Sequence, residues 1–218
     1  MSIENEITFN KIRESIVAVS IELDKNRQYY NDLDSPLGDS DHGDSVCSSF
    51  KTVKVTLLDY SNENDDIGEL LKNVGKAIMF SGGGAMGPLY GSAFIEAGKV
   101  VLGKSVISYH DFVKMWVAFL GAMGKRGEKV GEKTMYDTIR PAVDALESAY
   151  SEGKSLEEAC DLVDNAAKLG MESTKEMIAL RGRSSRLGER SIGHIDPGAA
   201  SMHTVISAFF NTIKNKNY

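Results

Sequence analysis

Apolar residues recur at steps of three and four along most of the chain. Phe9, Ile12, Ile16, Val19 and Leu23 mark one stripe, and Val46, Phe50, Val53 and Leu57 mark a second. Ile67, Leu70, Leu71, Val74 and Ile78 form a third. Two more run from Tyr109 through Phe112, Met115, Trp116 and Phe119 to Met123, and from Met135 through Ile139 and Val143 to Leu146. The last joins Met202, Val205, Ile206, Phe209 and Ile213. An α-helix advances 100° per residue, so each stripe gathers on one face that can be buried while the opposite face stays wet. Strict alternation, the mark of a half-buried strand, is absent; Val53–Tyr60 and Val106–Tyr109 are the ambiguous stretches. The pattern predicts an all-α domain of about eight helices with short connections, spanning residues 1–218 with no internal repeat and no linker.

Several helix ends can be read directly. Ser155 followed by Glu158 is a capping box, in which hydroxyl and carboxylate each satisfy a free backbone N–H of the first turn. Ser108 before Tyr109 reads as an N-cap. Gly87-Pro88 and Asp196-Pro197 put proline at a helix start, where its missing N–H costs nothing. Pro141 interrupts a helical run, which predicts a kink there or a helix beginning nearby.

Composition narrows the functional classes. The 218 residues carry a formal net charge of −6, which argues against a nucleic-acid backbone or an anionic membrane as principal partner. Apolar runs end well before the length of a membrane span, and the N-terminal segment has neither the basic stretch nor the apolar core of a signal peptide. Cys47 and Cys160 lack metal-ligand spacing and read as reduced, semi-buried thiols. A cytoplasmic protein is the expectation.

Glycine and charge then concentrate in a few junctions between stripes. The first is Asp34-Ser35-Pro36-Leu37-Gly38-Asp39-Ser40-Asp41-His42-Gly43. Its carboxylates repel one another unless a cation neutralises them, and hard oxygen ligands select Mg²⁺ or Ca²⁺. The competing account is a solvated acidic loop whose aspartates cap helices; the proline and two glycines that shape the loop favour the ion. An EF-hand register fails, because with Asp39 at the first loop position Phe50 falls where the bidentate Glu belongs. Ser81 through Pro88 is a glycine-rich turn entering a helix, the geometry that draws phosphate to free N–H groups. Gly82, Gly84 and Gly87 spell G-x-G-x-x-G, but a helical pattern precedes them in place of the strand a dinucleotide fold requires. Four arginines fall from Arg181 to Arg190, at and just before the start of the segment that runs from Gly182-Arg183 through Asp196-Pro197-Gly198. Arginine suits bidentate phosphate recognition, although any one of them could equally pair with a surface carboxylate. Gly127 through Met135 is a further glycine-bearing turn into a helix. Together the residue types point to a metal–nucleotide phosphate site on a helical scaffold.

In order, these segments resemble the ADP-binding L subunit of dihydroxyacetone kinase. The matching pieces are Asp34-x4-Asp39-x-Asp41-His42-Gly43, Gly83-Gly84-Ala85-x-Gly87-Pro88-Leu89-Tyr90-Gly91, Gly131-Glu132-Lys133-Thr134-Met135, and Gly182-Arg183 to Asp196-Pro197-Gly198. The resemblance implies a barrel of eight antiparallel helices with the nucleotide at one rim. It implies that Asp34, Asp39 and Asp41 bind two Mg²⁺ ions, and that His42, Gly43, Asp44 and Ser45, with the Gly84-Ala85-Met86 turn, approach the phosphates. Gly127 and Met135 would line the base pocket, Arg183 would contact phosphate, and Asp196, Pro197 and Gly198 would close over the nucleoside. Ser45 stands where the family commonly has Asn, and Met86 where it has a small hydroxyl residue, which leaves the Gly84 and Ala85 N–H groups to make the latter contact.

The chain leaves no room for the dihydroxyacetone-binding K domain of the ATP-dependent kinases. The resemblance is therefore to the separate subunit of the phosphotransferase-system form. There ADP would remain bound as a coenzyme, accept a phosphoryl group from a phosphohistidine M subunit, and as ATP pass it to dihydroxyacetone on a K subunit. Two other readings stay open: an L-type kinase subunit serving a different substrate, and a nucleotide-binding regulatory paralogue that no longer transfers phosphate. A purely structural helical interaction domain would not need this placement of glycine.

Overall fold

Every stripe becomes the buried face of a helix. In the computed structural model, which describes residues 6–58, 65–81 and 86–215, these are α1 (Phe9–Lys25), α2 (Arg27–Asp34), α3 (His42–Leu58), α4 (Ile67–Ser81), α5 (Met86–Val100), α6 (Tyr109–Lys125), α7 (Tyr136–Ser151), α8 (Leu156–Ser173) and α9 (Pro197–Lys214). Eight of them run 15 to 18 residues; α2 has eight residues and is set off from α1 at Asn26. The amide of Asn26 turns back to donate to the carbonyl of Glu22 at 2.8 Å, which ends the first helix.

The long helices close into a ring. α1 packs on α3, α3 on α4, and so on in chain order until α9 packs back on α1. Their apolar faces meet inside it, where Trp116 lies 5.0 Å from Phe210 and Phe94 lies 5.1 Å from Phe119, centroid to centroid. α4 and α5 approach so closely that a Cβ on Gly75 would sit 2.6 Å from the carbonyl oxygen of Gly91. α2 lies against α3 and α9 and carries the chain to one end of the ring.

The caps fall where the sequence puts them. The hydroxyl of Ser108 accepts from the N–H of Asp111 at 3.1 Å, that of Ser155 from Glu158 at 3.2 Å, and Pro197 opens α9 behind the N-cap Asp196. Pro141 does not break its helix: α7 begins at Tyr136 and runs through it. The proline has no N–H to offer Asp137, and α8 closes on that spot, since a Cβ on Gly170 would collide with the Asp137 carbonyl oxygen and lie 2.9 Å from the Pro141 ring.

Both ambiguous stretches resolve, and one of them is strand. Val106–Ser108 is a strand, paired antiparallel with Glu6–Thr8, with Ile7 opposite Ile107 and both side chains buried. Three residues are too few for alternation to show in the sequence, and the partner lies at the far end of α1. The Val53–Tyr60 ambiguity resolves to helix as far as Leu58, and the rest of that stretch lies outside the described residues. Cys47 and Cys160 are free thiols, both buried. Among the described residues no helix is long and apolar enough to cross a membrane.

Candidate nucleotide and metal site

The acidic loop is built around Asp34, the last residue of α2. Its carbonyl accepts from the N–H groups of Leu37 and Gly38, at 2.9 and 2.6 Å, which folds the loop back. Its carboxylate accepts from the N–H groups of Asp41 and His42, at 3.1 and 3.3 Å, capping the start of α3. A Cβ at Gly38 would run into that carboxylate, so the close fold requires glycine there. The outcome is that one carboxylate oxygen from each of Asp34, Asp39 and Asp41 lies within 4.8 Å of the others. Asp34 is buried and the other two are exposed. An all-oxygen, anionic set of this kind fits a hard divalent cation and would repel itself without one. The protein's own counter-charge is Arg183, which pairs with Asp39 and stands 3.6 Å from Asp41.

This loop forms one side of a cleft of about 330 Å³ at the end of the ring where α2 and α6 finish and α3, α5, α7 and α9 begin. Asp34, Asp39, Asp41, His42, Ser45, Met86, Met135, Arg183, Asp196, Pro197 and Gly198 all line it. Gly43 and Asp44 do not. Successive residues of a helix point 100° apart, so His42 and Ser45, nearly one turn apart, share the cleft face while the two between them turn to α2. The N–H groups of Gly43 and Asp44 donate to the Asn31 side-chain oxygen at 2.7 and 3.3 Å, and the Asp44 carboxylate accepts from Asn31 and Arg27. The first four N–H groups at the start of α3, Asp41 to Asp44, are therefore committed inside the protein. Gly127 sits outside the lining; its φ is +92° and its carbonyl accepts from Arg181. Gly84 and Ala85 lie outside the described residues.

His42 and Asp196 have displaced protonation. Burial lowers His42 to about 4 against the pull of Asp34, so its ring is neutral at neutral pH. Its Nε2 lies 2.9 Å from the Ser201 hydroxyl, which gives its own proton to the carbonyl of Gly198, so the ring nitrogen is the donor of that pair. Burial raises Asp196 to about 7, opposed by the N–H of Ala199 and the charge of Lys133.

Other lining residues escape a reading of the sequence. Lys133, Glu128, Thr134, Arg181 and Ser184 face the same cleft. Arg181 pairs with Glu132, which joins the turn after α6 to the segment after α8. Arg181 belongs to the conspicuous arginine run, whereas Lys133 in a glycine-flanked turn looks like a surface lysine.

Residues 36–211 match the family model described as the DAK2 domain. The chain belongs to the DAK2 domain family. The chain is 36% identical, over 193 residues, to the ADP-binding subunit DhaL of PEP-dependent dihydroxyacetone kinase 2 from Listeria innocua, covering 88% of this chain and 89% of that protein. It is 36% identical over 176 residues to the ADP-binding subunit DhaL of Escherichia coli K12, covering 80% and 83% of the two chains. In fold, the chain superposes on the dihydroxyacetone kinase of C. freundii, solved in complex with AMP-PNP and Mg²⁺, with a TM-score of 0.68 at 22% identity. The match covers 92% of this chain and 33% of that one, so the chain spans about a third of the larger kinase.

Proposed function

We propose that this DAK2 domain is the ADP-carrying subunit of a phosphoenolpyruvate-dependent dihydroxyacetone kinase. The supporting observation is the convergence of Asp34, Asp39 and Asp41 at the mouth of one cleft, opposite Arg183. The three carboxylates would hold two Mg²⁺ ions, which would supply the positive charge that compensates the phosphates of ADP. Arg183 leaves Asp39 and Asp41 to follow the phosphoryl group. His42 and Ser45, with Met86 at the start of α5, meet the phosphates; Gly43 and Asp44 serve by seating α3 on α2. Met135 borders the base, Gly127 acts from outside the lining by holding Arg181 through its carbonyl, and Asp196, Pro197 and Gly198 close on the nucleoside.

Phosphoryl transfer asks little covalent chemistry of a protein; alignment and charge compensation lower the barrier. A rim site open to two partners suits a relay. A phosphohistidine M subunit delivers the group to ADP, and a K subunit holding dihydroxyacetone receives it, while the nucleotide stays in place as coenzyme. The names of the Listeria and Escherichia relatives, both ADP-binding subunits of such kinases, support this reading over a regulatory paralogue.

The test is to purify the protein without added nucleotide, denature it and quantify what is released. About one ADP per chain, converted to ATP by a phosphorylated M-type subunit before denaturation, is the expected result. An empty protein that forms no ATP with any phosphohistidine donor contradicts the proposal.

A further inference from the structure

A buried lysine lines the part of the cleft assigned above to the nucleoside. Lys133 is 1% exposed, and its backbone takes a left-handed φ of +60°. Its neighbours Glu132 and Thr134 reach to Arg181 and Glu128, while the ammonium of Lys133 donates to the main-chain carbonyls of Thr174 and His194. Thr174 follows the end of α8, and its hydroxyl accepts the N–H of Asp196 at 3.1 Å. One side chain thus ties the turn carrying Met135 to the end of α8 and to the entry of α9. Those strands of backbone meet across the cleft: a Cβ on Gly198 would lie 3.7 Å from the methyl of Met135. Mere filling of this space calls for an apolar residue, since burying an ammonium carries a desolvation cost that an apolar side chain avoids. A charged donor to two separate carbonyls instead fixes the distance between them.

We propose that Lys133 is a positioning residue for nucleoside binding, setting the separation between Met135 and the Pro197–Gly198 wall. The phosphate end, held by Asp34, Asp39 and Asp41, is independent of it. The inference rests on the reading of the cleft as an ADP site.

Calorimetric titration of the wild type and Lys133→Met with ADP and with inorganic pyrophosphate, both with Mg²⁺, tests it. Loss of charge-assisted hydrogen bonds predicts ADP binding about 10- to 100-fold weaker in the variant, with pyrophosphate binding unchanged. Equal weakening of both ligands, the mark of a general structural defect, overturns the proposal, and so does unaltered ADP binding. A wild type that binds neither ligand refutes the ADP site itself, a distinct outcome. Should Lys133→Met not fold, the side-chain ¹⁵N resonance of Lys133 in the wild type serves instead. It is expected to shift with Mg·ADP and not with Mg·pyrophosphate; a resonance indifferent to ADP overturns the role.

Discussion

The carboxylate of Asp34 lies 3.1 Å from the backbone nitrogen of Asp41, so the residue that closes α2 also holds the residue that precedes α3. Asp34 therefore has a structural duty that Asp39 lacks. Removing a buried acceptor from two N–H groups costs about 1–3 kcal/mol. Asp39 is half-exposed, and its pair with the exposed Arg183 contributes little to stability. Asp34→Ala is expected to lower the urea midpoint clearly and Asp39→Ala to leave it near the wild-type value. Equal midpoints for the two variants would show that Asp34 does not organise the loop.

Gly43 lets α3 lie directly on α2. A Cβ there would strike the main-chain oxygen of Arg27 and sit 2.7 Å from the Asn31 amide oxygen. The Arg27 backbone cannot yield cheaply, the Asn31 side chain is held by its hydrogen bonds to α3, and overpacking of this kind costs about 1–3 kcal/mol. Gly43→Ala is expected to destabilise the fold and, by lifting α3, to weaken Mg²⁺-dependent ADP binding as well. Gly121, in α6, has nothing within 4 Å of its would-be Cβ, so Gly121→Ala is the control, with unchanged or slightly raised stability. Chemical denaturation of both variants decides it.

Asp196 makes a prediction about pH. Burial raises it to about 7 from an ordinary 3.8, so the native state binds its proton more tightly than the unfolded chain does. Its contribution to stability is then fully present below about pH 4, falls as pH rises toward 7, and is level above that. Asp196→Asn keeps a neutral acceptor for the N–H of Ala199 and removes the titration. Unfolding free energies measured from pH 4 to 9 are expected to shift in favour of the variant by about 1 kcal/mol per pH unit between 5 and 7 and to run parallel beyond. A difference independent of pH would mean that Asp196 is ionised throughout.

The long helices, the capping box of Ser155 and Glu158 and the N-cap at Ser108 were legible because each depends on residues within four positions of one another. The strand at Val106 was not, because its stability comes from Glu6–Thr8, which no local pattern announces. The acidic loop and the arginine run could be recognised as residue types, and the fold brings them to one cleft. What the sequence hid was direction. A run such as His42 to Ser45 looks like one functional block, yet the helix splits it between cleft and α2. Lys133 looks solvated until the carbonyls of Thr174 and His194, 41 and 61 residues away, supply its partners.

The central claim is that the three aspartates hold divalent metal against the phosphates of ADP. The direct measurement is ADP affinity by calorimetry on nucleotide-stripped protein, with millimolar Mg²⁺ and with EDTA, for the wild type, Asp39→Ala and Asp41→Ala. The account predicts binding to the wild type that strengthens at least about 100-fold with Mg²⁺, as expected for a site whose carboxylates otherwise repel phosphate, and no metal response in either variant of unchanged helicity. A wild type that binds ADP equally well in EDTA, or an Asp39→Ala protein with the full response to Mg²⁺, would contradict it.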